Sequence, residues 1–190
     1  NIRSPVVNRT KAGLNIMMPS ADFIHTKDNL FTASACKNFI KKFKNKTKNN
    51  YSKVGDYFFY DFDYQLIENE IEILVQEYRK YYPMIDMFKE RWHFSNPRFK
   101  HFPAGHAFSH WHCDHTAENP LRIAAILIYL TTHKTGTQFL MQNKTIQAQI
   151  GRAVMCPTSY THVHRGQLCP DKIDRYIIST YARLIPQKKK

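Results

Sequence analysis

The sequence FPAGHAFSHWHCD, residues 102–114, ends in a histidine and an aspartate, His112 and Asp114, that are separated by one residue. Alternate side chains of a β-strand point to the same face, so an imidazole and a carboxylate at this spacing can reach one metal ion. A second histidine pair, His162 and His164, follows further along the chain. Two imidazoles and one carboxylate hold non-haem Fe(II) on one face and leave other coordination positions open. The spacing therefore predicts a non-haem iron site built on β-structure.

The third ligand has more than one candidate. His164 and His162 are two residues apart, so a strand would place both on one face. His110 likewise lies two residues before His112. A His110/His112 pair would, however, leave the metal without the nearby carboxylate of Asp114. His164 and its rival His162 are therefore the candidates for the distal ligand.

The rest of the C-terminal half has the pattern of a mainly β fold. Short apolar stretches bounded by turn residues follow one another without intervening helices. This pattern predicts a sandwich or jelly roll. The predicted strands span residues 92–101, 107–114, 122–130, 137–141, 145–148, 153–156, 162–164 and 176–184.

Two amphipathic helices are predicted before this β region. Residues 33–44 place apolar side chains at helical spacing opposite lysines, and Thr32 or Ser34 can cap this helix. Residues 63–82 carry a second apolar stripe opposite glutamates, which we interpret as core. Residues 44–56, between them, are polar and are expected to form an exposed loop. We therefore expect two or three N-terminal α-helices to buttress one face of the β core.

The composition fits one domain. A chain of 190 residues with 43% apolar residues can bury one core but is short for two full domains. We expect a single domain, 1–190, with helical support and N-terminal strands in 1–90 and a jelly-roll catalytic core in 91–190. No apolar run reaches the roughly 20 residues that span a bilayer, so we expect a soluble protein without membrane contact.

The four cysteines, which include Cys113 and Cys169, are scattered and have no CxxC spacing. Free thiols in a reducing compartment are expected, which favours the cytoplasm. Cys113 would point away from the metal, as a small core residue.

The formal net charge is +13, with lysines concentrated in residues 41–48 and 188–190. Such runs can attract nucleic acid or acidic proteins, or can simply be solvated.

Further motifs join the first one. RIAAILIYL at 122–130, GTQF at 136–139, PTSYTHVHRG at 157–166 and RYIISTY at 175–181 follow FPAGHAFSHWHCD in order. Together they resemble the Fe(II)/2-oxoglutarate-dependent dioxygenases of the prolyl 4-hydroxylase-like group, over residues 98–184. Small members of this group are common in phages and bacteria, which suggests a bacterium or an infected host cell. The resemblance implies a double-stranded β-helix, a jelly roll with iron inside one mouth, that uses 2-oxoglutarate and O2, with ascorbate as a reductant.

The resemblance also implies roles for individual residues. His112, Asp114 and the histidine of the His-Arg-Gly step, His164, match the iron ligands. Arg175 matches the residue that grips the distal carboxylate of 2-oxoglutarate, to which a guanidinium donates two parallel hydrogen bonds. Two further positions, Tyr129 and Ser179, match hydroxyl donors to the same carboxylate. The substrate mouth is assigned to Arg122, His110 and Trp111.

Two departures from the family pattern concern the pocket. Phe102 stands where relatives often have a tyrosine, so one hydroxyl contact to the cosubstrate is expected to be absent. The usual Gly-Gly pair is replaced by Thr-Gly-Thr at 135–137.

The expected activity is hydroxylation of a C–H bond, with succinate and CO2 as co-products and a protein or peptide side chain as the favoured substrate. No side-chain base is required. A nucleic-acid oxygenase is the alternative, although the demethylase type usually has Asn and Arg where this chain has Lys100 and Tyr181. A jelly-roll binding protein without catalysis is the second alternative. The sequence leaves the oligomeric state open.

Overall fold

A computed structural model describes residues 22–53, 55–87, 92–168 and 172–185. The predicted free thiol at Cys169 and the lysines at 188–190 lie outside these residues. The described helices are α1 Ala33–Phe43 and α2 Glu68–Tyr81. The described strands are β1 His25–Lys27, β2 Tyr51–Ser52, β3 Tyr57–Asp61, β4 Trp92–Phe94, β5 Arg98–Phe102, β6 Arg122–Tyr129, β7 Gly136–Phe139, β8 Lys144–Gln147, β9 Ala153–Pro157, β10 His164–Gly166 and β11 Arg175–Leu184.

The strands form two antiparallel sheets that face each other. The larger sheet has the order β1-β9-β6-β11-β5-β3-β2, and β4 pairs with β11 beyond the end of β5. The smaller sheet has the order β10-β7-β8. Phe102, Tyr129 and Ile177 of the larger sheet share a buried cluster with Phe139 and Ile146 of the smaller one. The prediction of a mainly β jelly roll with flanking helices is therefore confirmed.

The helices cover the outer face of the larger sheet. In β6, Ile126 and Ile128 belong to the cluster beneath the helices, whereas Ala125 and Tyr129 belong to the cluster between the sheets. Because both faces of β6 are buried, its sequence is a continuous apolar run rather than an alternating one.

Both predicted helices are present. Thr32 caps α1, since its hydroxyl accepts a hydrogen bond from the amide of Ala35 at 3.1 Å. The second helix begins later than predicted, at Glu68, because a 3-10 turn at Tyr64–Leu66 precedes it. Its predicted apolar stripe, from Ile67 to Tyr82, is buried.

Several strand predictions were wrong. Residues 107–114 are not a strand and are paired only through one isolated bridge between His112 and His164. The predicted strand 92–101 is divided into β4 and β5 around Pro97, because proline has no backbone N–H to donate to a neighbouring strand. The segment 162–164 begins as a 3-10 turn, Tyr160–His162, and β10 starts only at His164.

The N-terminal third contributes more to the sheet than the sequence indicated. The short strands β1, β2 and β3 were not placed by the sequence pattern, although β3 pairs with β5 in the larger sheet. Residues 44–56 were predicted to be a loop but contain the 3-10 turn Lys44–Asn49 and β2. The boundary near residue 90 between support and core stays a prediction. Within the described ranges, no helix is long and apolar enough to cross a membrane.

Candidate functional site

The structure brings His112, Asp114 and His164 together. One ligand atom from each residue lies within 4.8 Å of the others. His164 is the first residue of β10, and His112 lies on the segment that precedes β6. Two backbone hydrogen bonds join them, from the His112 amide to the His164 carbonyl at 3.0 Å and in the reverse direction at 2.8 Å. This isolated bridge, rather than a strand at 107–114, brings His112 next to His164.

Backbone carbonyls orient both imidazoles. Nδ1 of His112 lies 3.0 Å from the carbonyl oxygen of His110, and Nδ1 of His164 lies 2.9 Å from that of His162. A carbonyl can only accept, so each Nδ1 carries the proton and each Nε2 keeps a free lone pair. Neutral imidazoles that are held in this way are typical metal ligands.

A tyrosine holds the carboxylate of Asp114. The hydroxyl of Tyr181 donates to Oδ1 of Asp114 at 3.0 Å, while Oδ2 lies 3.5 Å from Nε2 of His164. Burial raises the pKa of Tyr181 well above its ordinary value, and the charge of Asp114 raises it further. Tyr181 therefore stays protonated as a donor, which leaves Oδ2 as the carboxylate oxygen that faces the imidazoles.

The electrostatics favour an uncharged His112. Burial lowers the pKa of His112, and the neighbouring His164 lowers it further, against smaller opposing effects of the His110 carbonyl and Asp114. The neutral imidazole, which is the form that binds metal, is therefore favoured near neutral pH.

The rival His162 is engaged elsewhere. Its Nε2 lies 2.7 Å from the carbonyl oxygen of Asp22, and its Nδ1 lies 2.9 Å from the hydroxyl of Thr161. The ring of His162 therefore does not join the His112/Asp114 pair, although its carbonyl orients His164.

A cavity of about 640 Å³ extends from the three residues to Arg175. Arg175 is 3% exposed and donates from one terminal nitrogen to the hydroxyl of Thr135 at 3.0 Å and to the carbonyl of Gln167 at 2.9 Å. Among the described residues, its Nε and the hydroxyl of Ser179 have no hydrogen-bond partner. Buried polar atoms without partners are costly, so an anionic ligand in this cavity would satisfy them.

Tyr129 already has a partner. Its hydroxyl donates to that of Thr137 at 2.6 Å, and Thr137 lines the cavity. Burial raises the pKa of Tyr129 to about 12, so it remains a donor at neutral pH. Phe102 also lines the cavity, where its ring offers no hydroxyl.

The three predicted mouth residues differ in position. Arg122 lines the cavity, lies 3.7 Å above the ring centroid of Tyr181, and donates to the carbonyl of Asp114 at 3.4 Å. His110 and Trp111 are exposed, and neither is among the described residues that line the cavity. Arg165 lies 4.4 Å from the Trp111 ring centroid.

Cys113 corrects one expectation. It is partly exposed and lines the cavity, with its thiol donating to the carbonyl of His115 at 3.4 Å, rather than forming part of the core. The expectation assumed a strand at 107–114, and that strand is absent.

Sequence reasoning missed several cavity residues, above all Tyr181. Arg175, Ile177, Ser179 and Tyr181 all line the cavity because alternate residues of β11 face inward. The period-two pattern that begins at Arg175 would have identified Tyr181. No comparable pattern marks Thr135, which lies in the loop before β7 and accepts a hydrogen bond from Arg175.

Comparison with known proteins supports the fold. No family model matches the sequence, and no curated protein matches it. Among solved structures, the viral collagen prolyl hydroxylase of Paramecium bursaria Chlorella virus-1, in complex with 2OG, superposes with a TM-score of 0.66. The sequences are 14% identical, and the match covers 87% of this chain and 98% of that chain.

Two other solved structures are similar. A prolyl-4-hydroxylase of Pseudomonas putida has a TM-score of 0.67 at 11% identity, with coverage of 87% of this chain and 95% of that chain. A prolyl hydroxylase of Trichoplax adhaerens, in complex with a peptide of the hypoxia inducible factor oxygen degradation domain, has a TM-score of 0.65 at 11% identity. That match covers 86% of this chain and 84% of that chain. The chain therefore has the jelly-roll fold of these hydroxylases.

Proposed function

We propose that this protein is an Fe(II)- and 2-oxoglutarate-dependent oxygenase that hydroxylates a C–H bond of a protein or peptide side chain, in the manner of prolyl 4-hydroxylases. One observation carries the proposal. His112, Asp114 and His164 converge on the wall of a cavity that also holds the buried guanidinium of Arg175. The similar fold of solved prolyl hydroxylases agrees with it.

The residues present fit Fe(II). Two Nε2 atoms and one carboxylate oxygen form the facial donor set of non-haem iron oxygenases. Each donor group has a partner that fixes it, which is the surrounding shell that a metal site needs. His112, Asp114 and His164 would hold the ion.

The residues also fit 2-oxoglutarate. The guanidinium of Arg175 would receive its distal carboxylate, with the hydroxyl of Ser179 as a second donor, since both have an atom without a partner. Tyr129 would act through Thr137, whose hydroxyl it holds at the cavity wall.

Fe(II) held by His112, Asp114 and His164 would supply the oxidative chemistry, in which 2-oxoglutarate and O2 would yield succinate and CO2 and one oxygen atom would enter a substrate C–H bond. The chain itself binds and orients. Arg175 anchors one end of the cosubstrate, the two carbonyls fix the imidazole tautomers, and Tyr181 keeps Asp114 in one orientation. The apolar walls, which include Phe102 and Ile177, exclude water from the reacting groups. No side chain is needed as a base.

A peptide substrate is favoured over nucleic acid. The Trichoplax adhaerens neighbour was solved with a peptide. Tyr181, where a demethylase would place a second arginine, is here committed to Asp114. Ascorbate is expected to sustain turnover as a reductant.

Succinate formation tests the proposal. Purified protein with Fe(II), ascorbate and 2-oxoglutarate should form succinate, and His112→Ala or Asp114→Ala should abolish it. Turnover that persists in both variants would exclude these residues as ligands.

Mass spectrometry of lysate proteins and nucleic acids after incubation should find a gain of one oxygen on protein. A gain on nucleic acid alone would overturn the substrate class.

A further inference from the structure

The cavity wall formed by β5 is cationic. Arg98, Lys100 and Phe102 line the cavity, as alternate residues of one strand should. The β5–β11 register places Lys100 opposite Ile177, next to the Phe102–Arg175 pair. Lys100 therefore lies one inward-facing row from the position proposed for the cosubstrate.

The cations of this wall differ in their partners. Arg98 is neutralised by Asp61, with two hydrogen bonds of 2.7 and 2.8 Å. Lys100 has no acidic partner among the described residues. Its ammonium instead lies 5.1 Å from the ring centroid of Tyr57.

Tyr57 completes a polar corner beside Lys100. It is 6% exposed and packs against Phe102, with ring centroids 5.1 Å apart. Burial raises the pKa of the Tyr57 phenol, but Lys100, Arg98 and Ser52 lower it, and the net pKa lies below its ordinary value. A polarised phenol beside an ammonium is a good hydrogen-bond donor to an anion.

The charge balance suggests what this corner binds. Among the described lining residues, four cationic side chains, Arg98, Lys100, Arg122 and Arg175, outnumber the two carboxylates, Asp61 and Asp114. Fe(II) would add two positive charges and 2-oxoglutarate would remove two. The loaded cavity would thus keep its positive excess, and a partly buried charge without a counter-charge is unfavourable.

We propose that Lys100 and Tyr57 form a substrate subsite that binds the carboxylate of an acidic side chain next to the hydroxylated residue of a peptide. This inference rests on the proposed function and specifies its substrate class. The ammonium would pair with the carboxylate, and the Tyr57 hydroxyl would donate a second hydrogen bond to it. An acidic peptide would also be attracted by the net charge of +13.

Matched peptides test the subsite. Proline-centred peptides that carry Glu, Gln or Lys at the neighbouring positions would be titrated into protein loaded with Mn(II) and 2-oxoglutarate, with fluorescence anisotropy as the readout. Wild type should bind the Glu peptides about tenfold or more tightly than the Gln peptides, as expected for a charge-assisted hydrogen bond. Lys100→Met should lose this preference, Tyr57→Phe should reduce it, and Lys100→Glu should favour the Lys peptides. Lys41→Met removes an exposed lysine of α1 and should retain the preference.

Other results would overturn the inference. These are equal binding of Glu and Gln peptides by wild type, or an unchanged preference in Lys100→Met. A tenfold rise in the Kd of 2-oxoglutarate in Lys100→Met, with the peptide preference intact, would assign Lys100 to the cosubstrate instead. Tight oligonucleotide binding that depends on Lys100, without a Glu preference, would assign it to phosphate. Failure of the proposed function is distinguishable, because wild type would then neither bind 2-oxoglutarate nor form succinate without peptide.

Discussion

Replacing Tyr181 by Phe should weaken metal binding while leaving the fold intact. The substitution removes one hydroxyl, which donates to Oδ1 of Asp114 at 3.0 Å. The ring remains, so its contact with Arg122, 3.7 Å from the ring centroid, is retained. Asp114 would then be free to rotate, and either oxygen could face the imidazoles.

The magnitude follows from two independent estimates. A hydrogen bond to a charged acceptor contributes about 1.5–3 kcal/mol. Loss of a group that orients a metal ligand typically costs about 10–100-fold in metal affinity. These agree, since a factor of ten corresponds to about 1.4 kcal/mol. Tyr181→Phe should therefore raise the Kd for metal by about 10–100-fold.

Calorimetric titration with Mn(II) measures this change, and the absorption spectrum of the Co(II) form reports the coordination geometry. Tyr176→Phe is the matched control, because its hydroxyl donates to Asp174, an aspartate outside the three proposed ligands, at 3.1 Å. The control should keep the wild-type Kd. A Kd within twofold of wild type in Tyr181→Phe, with an unchanged Co(II) spectrum, would refute the reasoning.

Three further outcomes are expected. His164→Gln should raise the Kd for metal at least about 100-fold. His162→Gln should change it only a few-fold, because the His162 ring is hydrogen-bonded to the carbonyl of Asp22. The reverse order of effects would make His162 the ligand. Burial lowers the pKa of His162 below its value in the unfolded chain. The unfolded state therefore binds a proton more readily, so the free energy of unfolding decreases as the pH falls below about 6.5, by at most about 1.4 kcal/mol per pH unit. Thermal unfolding at pH 7.5 and 5.5 should therefore differ more in wild type than in His162→Gln, and equal differences would contradict this. Gly136→Ala should destabilise the protein by about 1–3 kcal/mol in denaturant titrations, because the added Cβ would overlap the carbonyl oxygen of Ile146. Wild-type stability in this variant would show that β8 can move away from β7.

The fold class could be predicted because its evidence is local. The apolar run at 122–130 is long enough for a strand buried on both faces, and the stripe of α2 has helical spacing. The short strand β3, with the sequence Tyr-Phe-Phe-Tyr-Asp, has no alternation to reveal it. Its position depends on pairing with β5, which is distant in sequence.

The candidate ligands could be found from residue type and order, but the reason for their convergence could not. The spacing of His112 and Asp114 suggested a strand, whereas the segment is held by isolated hydrogen bonds to β10 and its neighbours. The distinction between His162 and His164 depends on Asp22, which lies 140 positions from His162. Contacts at this sequence separation leave no local pattern.

The site residues also differ in how firmly the fold holds them. Arg175, Ser179 and Tyr181 lie on β11, the longest of the described strands, which pairs with strands on both sides. His112 and Asp114 lie on an irregular segment, where the His112 amide bonds to His164, the His115 amide bonds to Thr158, and the Gly166 amide bonds to the Phe108 carbonyl. A metal ion shared by His112, Asp114 and His164 would cross-link this segment to β10, so metal affinity and order of the segment must be coupled. We therefore expect the β11 side of the cavity to be ordered before any ligand binds, and the segment that carries His112 and Asp114 to become more ordered when metal binds.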